Sequence, residues 1–578
     1  MSALRLKGIP AAPGYAIGRA WVLDRETRGS VERRSVADVA AELERLDRAV
    51  SAAKADIRGL IDEVRRRLGA EEAEIFEAHL LLLEDEEFIG RARTRVAEQS
   101  RNAESALHET AEEIAGTLES MDDDYMKERA ADIRDVGRRL IGHLTGADGN
   151  RSVRPAGPLV LIAGDLTPSE TVRFQGTAAG FATAAGGRTA HAAILARALG
   201  LPAVVGIGER VLAVENGSVV VVDGTTGELL ANPSPDELER YRELQARYEQ
   251  RRRRLLPYRN LPSVTADGAS VELAANIGSP LDAEAAADNG AEGVGLFRTE
   301  FLYMQHDALP GEDEQFEAYK SVALRFHGRP VVVRTLDVGG DKELKALPLP
   351  KEDNPFLGVR AIRLCLNRKD LFRTQLRALL RASVYGTIKI MFPMIATLAE
   401  WREARALLDA AAGELRREGV PVPDRLEAGI MVEVPSAAVL ADLFAKEVDF
   451  FSIGTNDLVQ YVMAADRMNP ELARLNDPFH PAVLRLIRGV VEAARREGKR
   501  VGMCGEMAGN PLAVPLLLGL GLDEFSMSAG SILPVRALIS RLNRSEMSRL
   551  AEEALKLDDP DAIRSLILRA VPGLADPD

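Results

Sequence analysis

Hydrophobic positions change their period several times along the chain, and each change predicts a different kind of element. A Pro- and Gly-punctuated stretch from Gly8 to Gly18 leads into the apolar run Ala20-Trp-Val-Leu23, which reads as a turn and a strand. From about Ser35 to His143 glycine and proline become scarce, and Leu43, Leu46, Val50, Ile57, Leu60 and Val64 recur at helical spacing. That predicts several long helices in a hairpin or bundle. Short apolar runs then return at Leu159–Ala163, Gly180–Ala184, Ala203–Gly206 and Ser218–Val222, with helical patterns between them and a candidate capping box at Thr167-Pro-Ser-Glu170. Strand signals on both sides of the helical segment make it an insertion into one compact α/β domain. From Ser234 to Arg254 a breaker-poor run of Glu, Arg and Tyr predicts an exposed connecting helix. Its Arg251–Arg254 reads as a solvated helix end rather than a nucleic-acid patch.

The remainder is the most regular part. Apolar runs at Val271–Asn276, Gly293–Phe297, Val331–Arg334, Ile388–Phe392, Gly429–Val432, Phe450–Ile453, Val501–Cys504 and Glu524–Met527 are separated, nearly all, by helical stretches. This alternation predicts a (β/α)8 TIM barrel, with a doubly wound sheet as the alternative that more often uses fewer strands. The expected organisation is therefore a discontinuous α/β domain over 1–34 and 144–233, an inserted helical bundle over 35–143, a linker helix over 234–261 and a barrel over 262–578.

Composition narrows the class. A chain of 578 residues is too long for one core and suits three to four domains. A net charge of −14 argues against a general nucleic-acid binder and favours a basic partner at long range. No apolar run approaches the roughly 20 residues that span a bilayer, and the N-terminus lacks a signal-peptide pattern. Cys365 and Cys504 are the only cysteines, so neither a disulfide framework nor a cysteine metal site is expected. A cytoplasmic protein is the expectation.

Candidate chemistry collects at two places. In Gly186-Gly-Arg-Thr-Ala190-His191 a glycine-bearing loop runs into the helical pattern Ala192–Leu199, which puts one imidazole at a helix start. Such a start carries unpaired N–H groups and favours an anion, so His191 either takes up a phosphoryl group there or simply caps and packs. The second place is the set of predicted strand ends of the barrel, where reactive residues belong. Arg298 and Arg334 end the second and third strands, Glu433 follows the fifth, Asn456 and Asp457 follow the sixth with Arg467 ten residues on, and Cys504 ends the seventh. The three arginines suit bidentate capture of phosphate and carboxylate oxygens. Glu433 and Asp457 are hard oxygen ligands of the kind Mg²⁺ uses beside substrate oxygens and water. A small ligand carrying both phosphate and carboxylate fits this set; strand-end salt bridges are the structural alternative. Cys504 is either a small buried apolar residue or a thiol kept protonated by negative neighbours, able to protonate a developing carbanion. The run Glu71–Glu87 sets an apolar band among carboxylates without a Lys or Arg. It suits docking of a small basic protein, or equally a bundle core with a wet acidic face.

These motifs resemble enzyme I of the bacterial sugar phosphotransferase system, the phosphoenolpyruvate–protein phosphotransferases, over essentially the whole chain. The likeness rests on Gly8-Ile-Pro-Ala-Ala-Pro-Gly14, on Gly186-Gly-Arg-Thr-Ala-His191-Ala-Ala-Ile-Leu-Ala-Arg197 and on Gly295-Leu-Phe-Arg298-Thr-Glu-Phe-Leu-Tyr-Met304. Arg334-Thr-Leu-Asp-Val-Gly-Gly-Asp-Lys342 and Asp449-Phe-Phe-Ser-Ile-Gly-Thr-Asn456-Asp457-Leu-Val-Gln460 extend it. The resemblance implies a phosphohistidine at His191, oriented by Thr171. It implies phosphoenolpyruvate held by Arg298, Arg334, Asn456, Asp457 and Arg467, Mg²⁺ on Glu433 and Asp457, and protonation of the pyruvate enolate by Cys504. It further implies that the helical insertion docks the small phosphocarrier protein HPr and that the barrel carries a homodimer interface. Ala190 and Ala192 depart from the pattern, because relatives often have Ser or Thr there, so fewer hydroxyls flank the phosphate. A pyruvate, phosphate dikinase or phosphoenolpyruvate synthase relative is the nearest alternative, but the sequence has no phosphate-cradling Gly-Lys-Ser/Thr loop. A regulatory scaffold with the same fold is the other, although no main motif residue is missing.

Overall fold

A computed structural model describes residues 4–23, 32–67, 74–120, 124–145, 157–164, 166, 178–186, 193, 196, 200–304, 308–340, 344, 346–347, 349–350, 352–472 and 474–574. The chain divides into two compact units, 1–250 and 251–578.

The first unit is built on an eight-stranded sheet in the order β1-β8-β7-β3-β4-β5-β6-β2. These strands are β1 Leu4–Lys7, β2 Ile9–Ala12, β3 Tyr15–Val22, β4 Leu159–Ala163, β5 Ala178–Thr183, β6 Ala203–Val205, β7 Val219–Asp223 and β8 Glu228–Ala231. Parallel pairing joins β3 to β4, β4 to β5 and β5 to β6, while the remaining pairs are antiparallel. Between β3 and β4 the chain runs through helices Val39–Arg67, Glu74–Leu82, Arg91–Gln99, Ala103–Glu119 and Asp124–Thr145. Leu46 and Ile57 of the expected stripe are buried with Phe76, Phe88, Leu107 and Leu140 in a core of their own, so the helices are an inserted bundle. In the acidic run, Phe76 and Leu83 belong to that core while Glu84 to Glu87 stay exposed and Leu81 is left in solvent.

The Glu/Arg-rich segment is a helix, Pro235–Leu255, but it is not the exposed rod its composition suggests. Tyr241 is buried against Val221 and Leu230, with Leu238 and Leu244 beside it, and the Tyr15 ring meets those of Tyr241 and Tyr248 at 6.2 and 6.0 Å. One apolar stripe on a charged helix is enough to dock it on the sheet. Arg251 to Arg254 are exposed, as expected of a solvated helix end.

The second unit is a closed barrel of eight parallel strands: β9 Glu272–Ile277, β10 Val294–Arg298, β11 Pro330–Arg334, β12 Thr387–Phe392, β13 Ala428–Val432, β14 Phe450–Ile453, β15 Arg500–Met503 and β16 Glu524–Met527. Strand β16 pairs back onto β9, which closes the sheet on itself. The sequence reading thus holds for the barrel, each strand end falling within a residue of its expected place. Val, Ile, Leu and Phe fill both sides of the strands because the barrel wall is buried on each face. Among the described residues no helix is long and apolar enough to cross a membrane.

Candidate functional site

Strand pairing delivers the first two cations. Arg298 and Arg334 are the last residues of β10 and β11 and are register partners, so adjoining strands present them side by side. Arg334 is buried; its Nη2 donates to Glu300 Oε1 at 2.6 Å and its Nη1 lies 3.0 Å from Asp337 Oδ2. Burial opposes its charge, but Glu300, Asp337 and Glu433 outweigh it and raise its pKa further. Arg298 is half-buried and makes no ion pair among the described residues.

A third arginine, absent from the sequence-derived set, completes the cluster. Arg360 is fully buried, donating from Nη2 to Asp337 Oδ1 at 3.0 Å and from Nη1 to Asp457 Oδ1 at 3.1 Å. Its charge too is opposed by burial and upheld by Asp337, Asp457 and Glu433. The Val338-Gly339-Gly340 turn exists to let it in. Gly339 has φ +112°, and a Cβ there would stand 2.5 Å from Arg360 Cβ. The guanidinium groups of Arg360 and Arg467 both lie over the Phe356 ring, at 5.9 and 5.8 Å. Arg467 Nη1 reaches Asp457 Oδ2 at 3.4 Å, and its backbone N–H donates to Gln460 Oε1 at 2.9 Å.

The carboxylates lie among these cations. Glu433 is buried just past β13, with Oε1 accepting from the Met394 N–H at 2.6 Å. Met394 itself has φ +57°, a strained conformation for a side-chain-bearing residue of the kind that clusters at functional sites. Burial first, then Asp457 and Asp337, push the Glu433 carboxyl up to about 8 despite Arg334 and Arg360. Gly454 leaves room beside Glu433 Oε2, where a Cβ would come within 3.1 Å. Among the described residues no group of three or more His, Cys, Asp or Glu forms a metal cage. Mg²⁺ needs only one or two carboxylates with substrate oxygens and water, and a crowded buried pair gains from a cation, so Glu433 and Asp457 fit it.

Cys504 is buried immediately beyond β15, among Leu296, Val332, Met391, Met431 and Phe450. Burial pushes its thiol up to about 11, against the Ser452 hydroxyl and the Arg334 charge. Its packing is that of the buried apolar reading, and burial rather than the expected negative neighbours is the main cause that raises the thiol, Glu433 being a lesser one. Asn276 Nδ2 donates to the Cys504 carbonyl at 3.0 Å. Asn456 is held by Glu506, whose N–H donates to Asn456 Oδ1 at 3.1 Å.

Three polar donors in the cluster, Arg334 Nε, Arg360 Nε and Thr335 Oγ1, are buried without a hydrogen-bond partner among the described residues. Unpaired buried donors are costly, and an anionic ligand at the C-terminal end of the barrel would satisfy such groups. The structure brings Arg298, Arg334, Glu433, Asn456, Asp457, Arg467 and Cys504 to that end. His191, Thr171, Ala190, Ala192, the Thr167–Glu170 capping box and Asp341-Lys342 lie outside the described residues. Beside His191, Gly186 has φ +96°, and Ala193 and Ala196 are helical and fully buried.

Comparison with known proteins matches three stretches of the chain. The PEP-binding domain of PEP-utilising enzymes matches residues 252–544, their N-terminal domain residues 7–129 and their mobile domain residues 156–227. The phosphoenolpyruvate-protein phosphotransferase of Geobacillus stearothermophilus is 54% identical over 565 residues, 98% of each chain. That of Bacillus subtilis (strain 168) is 51% identical over 563 residues, 97% of this chain and 99% of the relative. That of Staphylococcus carnosus (strain TM300) is 51% identical over 566 residues, 98% and 99% respectively.

Proposed function

The chain belongs to the phosphoenolpyruvate–protein phosphotransferase family of PEP-utilising enzymes, and from that premise we propose that it acts as enzyme I of a sugar phosphotransferase system. It takes the phosphoryl group of phosphoenolpyruvate onto His191, releases pyruvate, and passes the group to a histidine of HPr. The observation that carries this reading is the convergence of four arginines and four buried carboxylates at one end of the barrel, with the buried Cys504 thiol beside them.

In the first step the bond between the phosphorus and the enol oxygen breaks as an unprotonated His191 nitrogen attacks phosphorus. Arg298, Arg334 and Arg467 hold the oxygens of the phosphoryl and carboxylate groups, with Asn456 and Asp457 fixing the ligand's position. Preformed charge of this kind supplies most of the catalysis in phosphoryl transfer. Glu433 and Asp457 would hold Mg²⁺, which when bound offsets the negative charge of the substrate oxygens. The Cys504 thiol gives its proton to the methylene carbon of the leaving enolate, producing pyruvate, and the thiolate regains a proton from solvent. Because burial keeps the thiol protonated at neutral pH, it is poised as an acid rather than as a nucleophile.

Residues 35–143 serve as the HPr-docking domain, 1–34 with 144–233 as the phosphohistidine domain, and 262–578 as the phosphoenolpyruvate-binding barrel and dimer interface of a cytoplasmic homodimer. One imidazole serving two partners requires a pivot in the segment 234–261. The test is pyruvate release on adding phosphoenolpyruvate, Mg²⁺ and HPr without ATP. Release of about one pyruvate per chain without HPr, and sustained release only when all three are present, supports the reading, and release that needs a nucleotide contradicts it.

A further inference from the structure

Behind the two strand ends that carry Arg298 and Arg334 runs a buried chain of hydrogen bonds that the proposed chemistry does not use. Gln375, on helix Lys369–Ala382, sits at its centre. Its Nε2 donates to Thr299 Oγ1 at 3.1 Å and to Tyr319 OH at 3.2 Å, and its Oε1 accepts from the Leu336 N–H at 2.9 Å. Thr299 Oγ1 donates onward to the Arg334 carbonyl at 2.8 Å. On the other side the Tyr319 and Tyr303 hydroxyls both donate to Gln315 Oε1 at 3.0 Å, and Gln315 Nε2 donates to the Pro310 carbonyl at 3.0 Å. Gln375, Thr299, Gln315, Tyr303 and Tyr319 are each at most 1% exposed.

Every proton in this chain has one direction. Gln375 must donate twice and accept once, which an amide can do and a carboxylate, hydroxyl or apolar side chain cannot. Thr299 directly follows Arg298, and Leu336 stands two residues after Arg334. One amide therefore fastens the backbone beside both arginines to the helix behind them. Stability calls for an acceptor at the buried Leu336 N–H but not for the donations to Thr299 and Tyr319, whose hydroxyls could be exchanged together with the donor for apolar groups at little cost. We propose that Gln375, acting through Thr299 and the Leu336 amide, is a positioning residue that sets the spacing of the Arg298 and Arg334 guanidinium groups for a phosphorylated carboxylate ligand. The proposal rests on the reading of this end of the barrel as the phosphoenolpyruvate site.

The test measures binding of phosphoenolpyruvate with Mg²⁺ by calorimetry to the full chain carrying His191→Ala, so that no turnover intervenes. Gln375→Met and Thr299→Val should each weaken binding about tenfold, and combining them should add less than a further tenfold because they cut one path. Thr299→Ser, which restores the hydroxyl, should bind within about twofold of the parent. Tyr303→Phe cuts the network at its far end, so it should lower the melting temperature while leaving affinity within about twofold. Unchanged affinity in Thr299→Val, or an equal loss in Tyr303→Phe, overturns the positioning role. A His191→Ala parent that binds no phosphoenolpyruvate overturns the barrel-site reading itself, and the proposal with it.

Discussion

The two ends of the barrel carry charge in different ways. At the C-terminal end of the strands Arg334 and Arg360 are buried with Glu300, Asp337, Asp457 and Glu433, and donors remain unsatisfied. At the N-terminal end Arg500 pairs with Glu272 at 2.8 Å and Lys389 with Glu427 at 2.6 Å. Glu524 stands beside them in a space that Gly295 and Gly502 leave open. There, among the described residues, the buried atom without a partner is an acceptor, Glu272 Oε1, and the cations are partly in solvent. Under the proposed function the difference is that of a site and a scaffold: one end has buried donors that an anion would satisfy, while the other pairs its cations with its own carboxylates. It agrees with the general division of such barrels into a reactive and a stabilising face.

Substitutions at the two ends should diverge most at Arg360. Arg360→Met takes from Asp337 and Asp457 their shared buried cation and leaves each with one arginine, Arg334 and Arg467 respectively, so turnover with phosphoenolpyruvate should fall by about a thousandfold or more, and unfolding in denaturant should show a loss of about 3 kcal/mol. Cys504→Ser comes next: pyruvate formation should slow by about a hundredfold or more while exchange between phosphorylated HPr and His191 keeps its rate. Equal slowing of both steps would remove the thiol from its acid role. Arg500→Met, at the opposite end, should leave turnover within about twofold and cost at most about 1 kcal/mol, because its half-exposed pair is screened by solvent.

The smallest effect concerns pH. Burial, then Glu272, raises the Glu524 carboxyl to about 7, above its unfolded value. The folded state therefore binds more protons between those values. Its contribution to stability is complete below the unfolded pKa and is lost as pH rises through about 7. Melting temperature should decline over that window in the parent and more gently in Glu524→Gln, with turnover following the parent in both.

How much of this was legible in the sequence differs between the same regions. The barrel strands were, because Val-Val-Val-Arg334 and Phe450-Phe-Ser-Ile453 are short apolar runs that only a wall buried on both faces accommodates. Strands β1, β2 and β8 were not. They are four residues each, and Pro10 lies in β2, which tolerates it because β2 is an edge strand. The strand-end rule found Arg298, Arg334, Glu433, Asp457 and Cys504. It could not find Arg360, which lies 26 residues beyond Arg334, late in the connection that also carries Asp337, and whose other carboxylate partner, Asp457, stands on helix Thr455–Met463. Gln375 escaped for a similar reason, being one polar residue on an otherwise ordinary amphipathic helix. The pair Gly339-Gly340 was the available signal, since adjacent glycines at positive φ announce a close approach without naming what approaches.

The central claim is that the barrel loads a phosphoryl group onto one imidazole elsewhere in the chain. Mass spectrometry after mixing the protein with phosphoenolpyruvate and Mg²⁺ tests it directly. The account predicts one acid-labile phosphate per chain, located on His191 and absent from the His191→Ala variant. Full labelling of that variant, or a phosphate found on another residue, would contradict it.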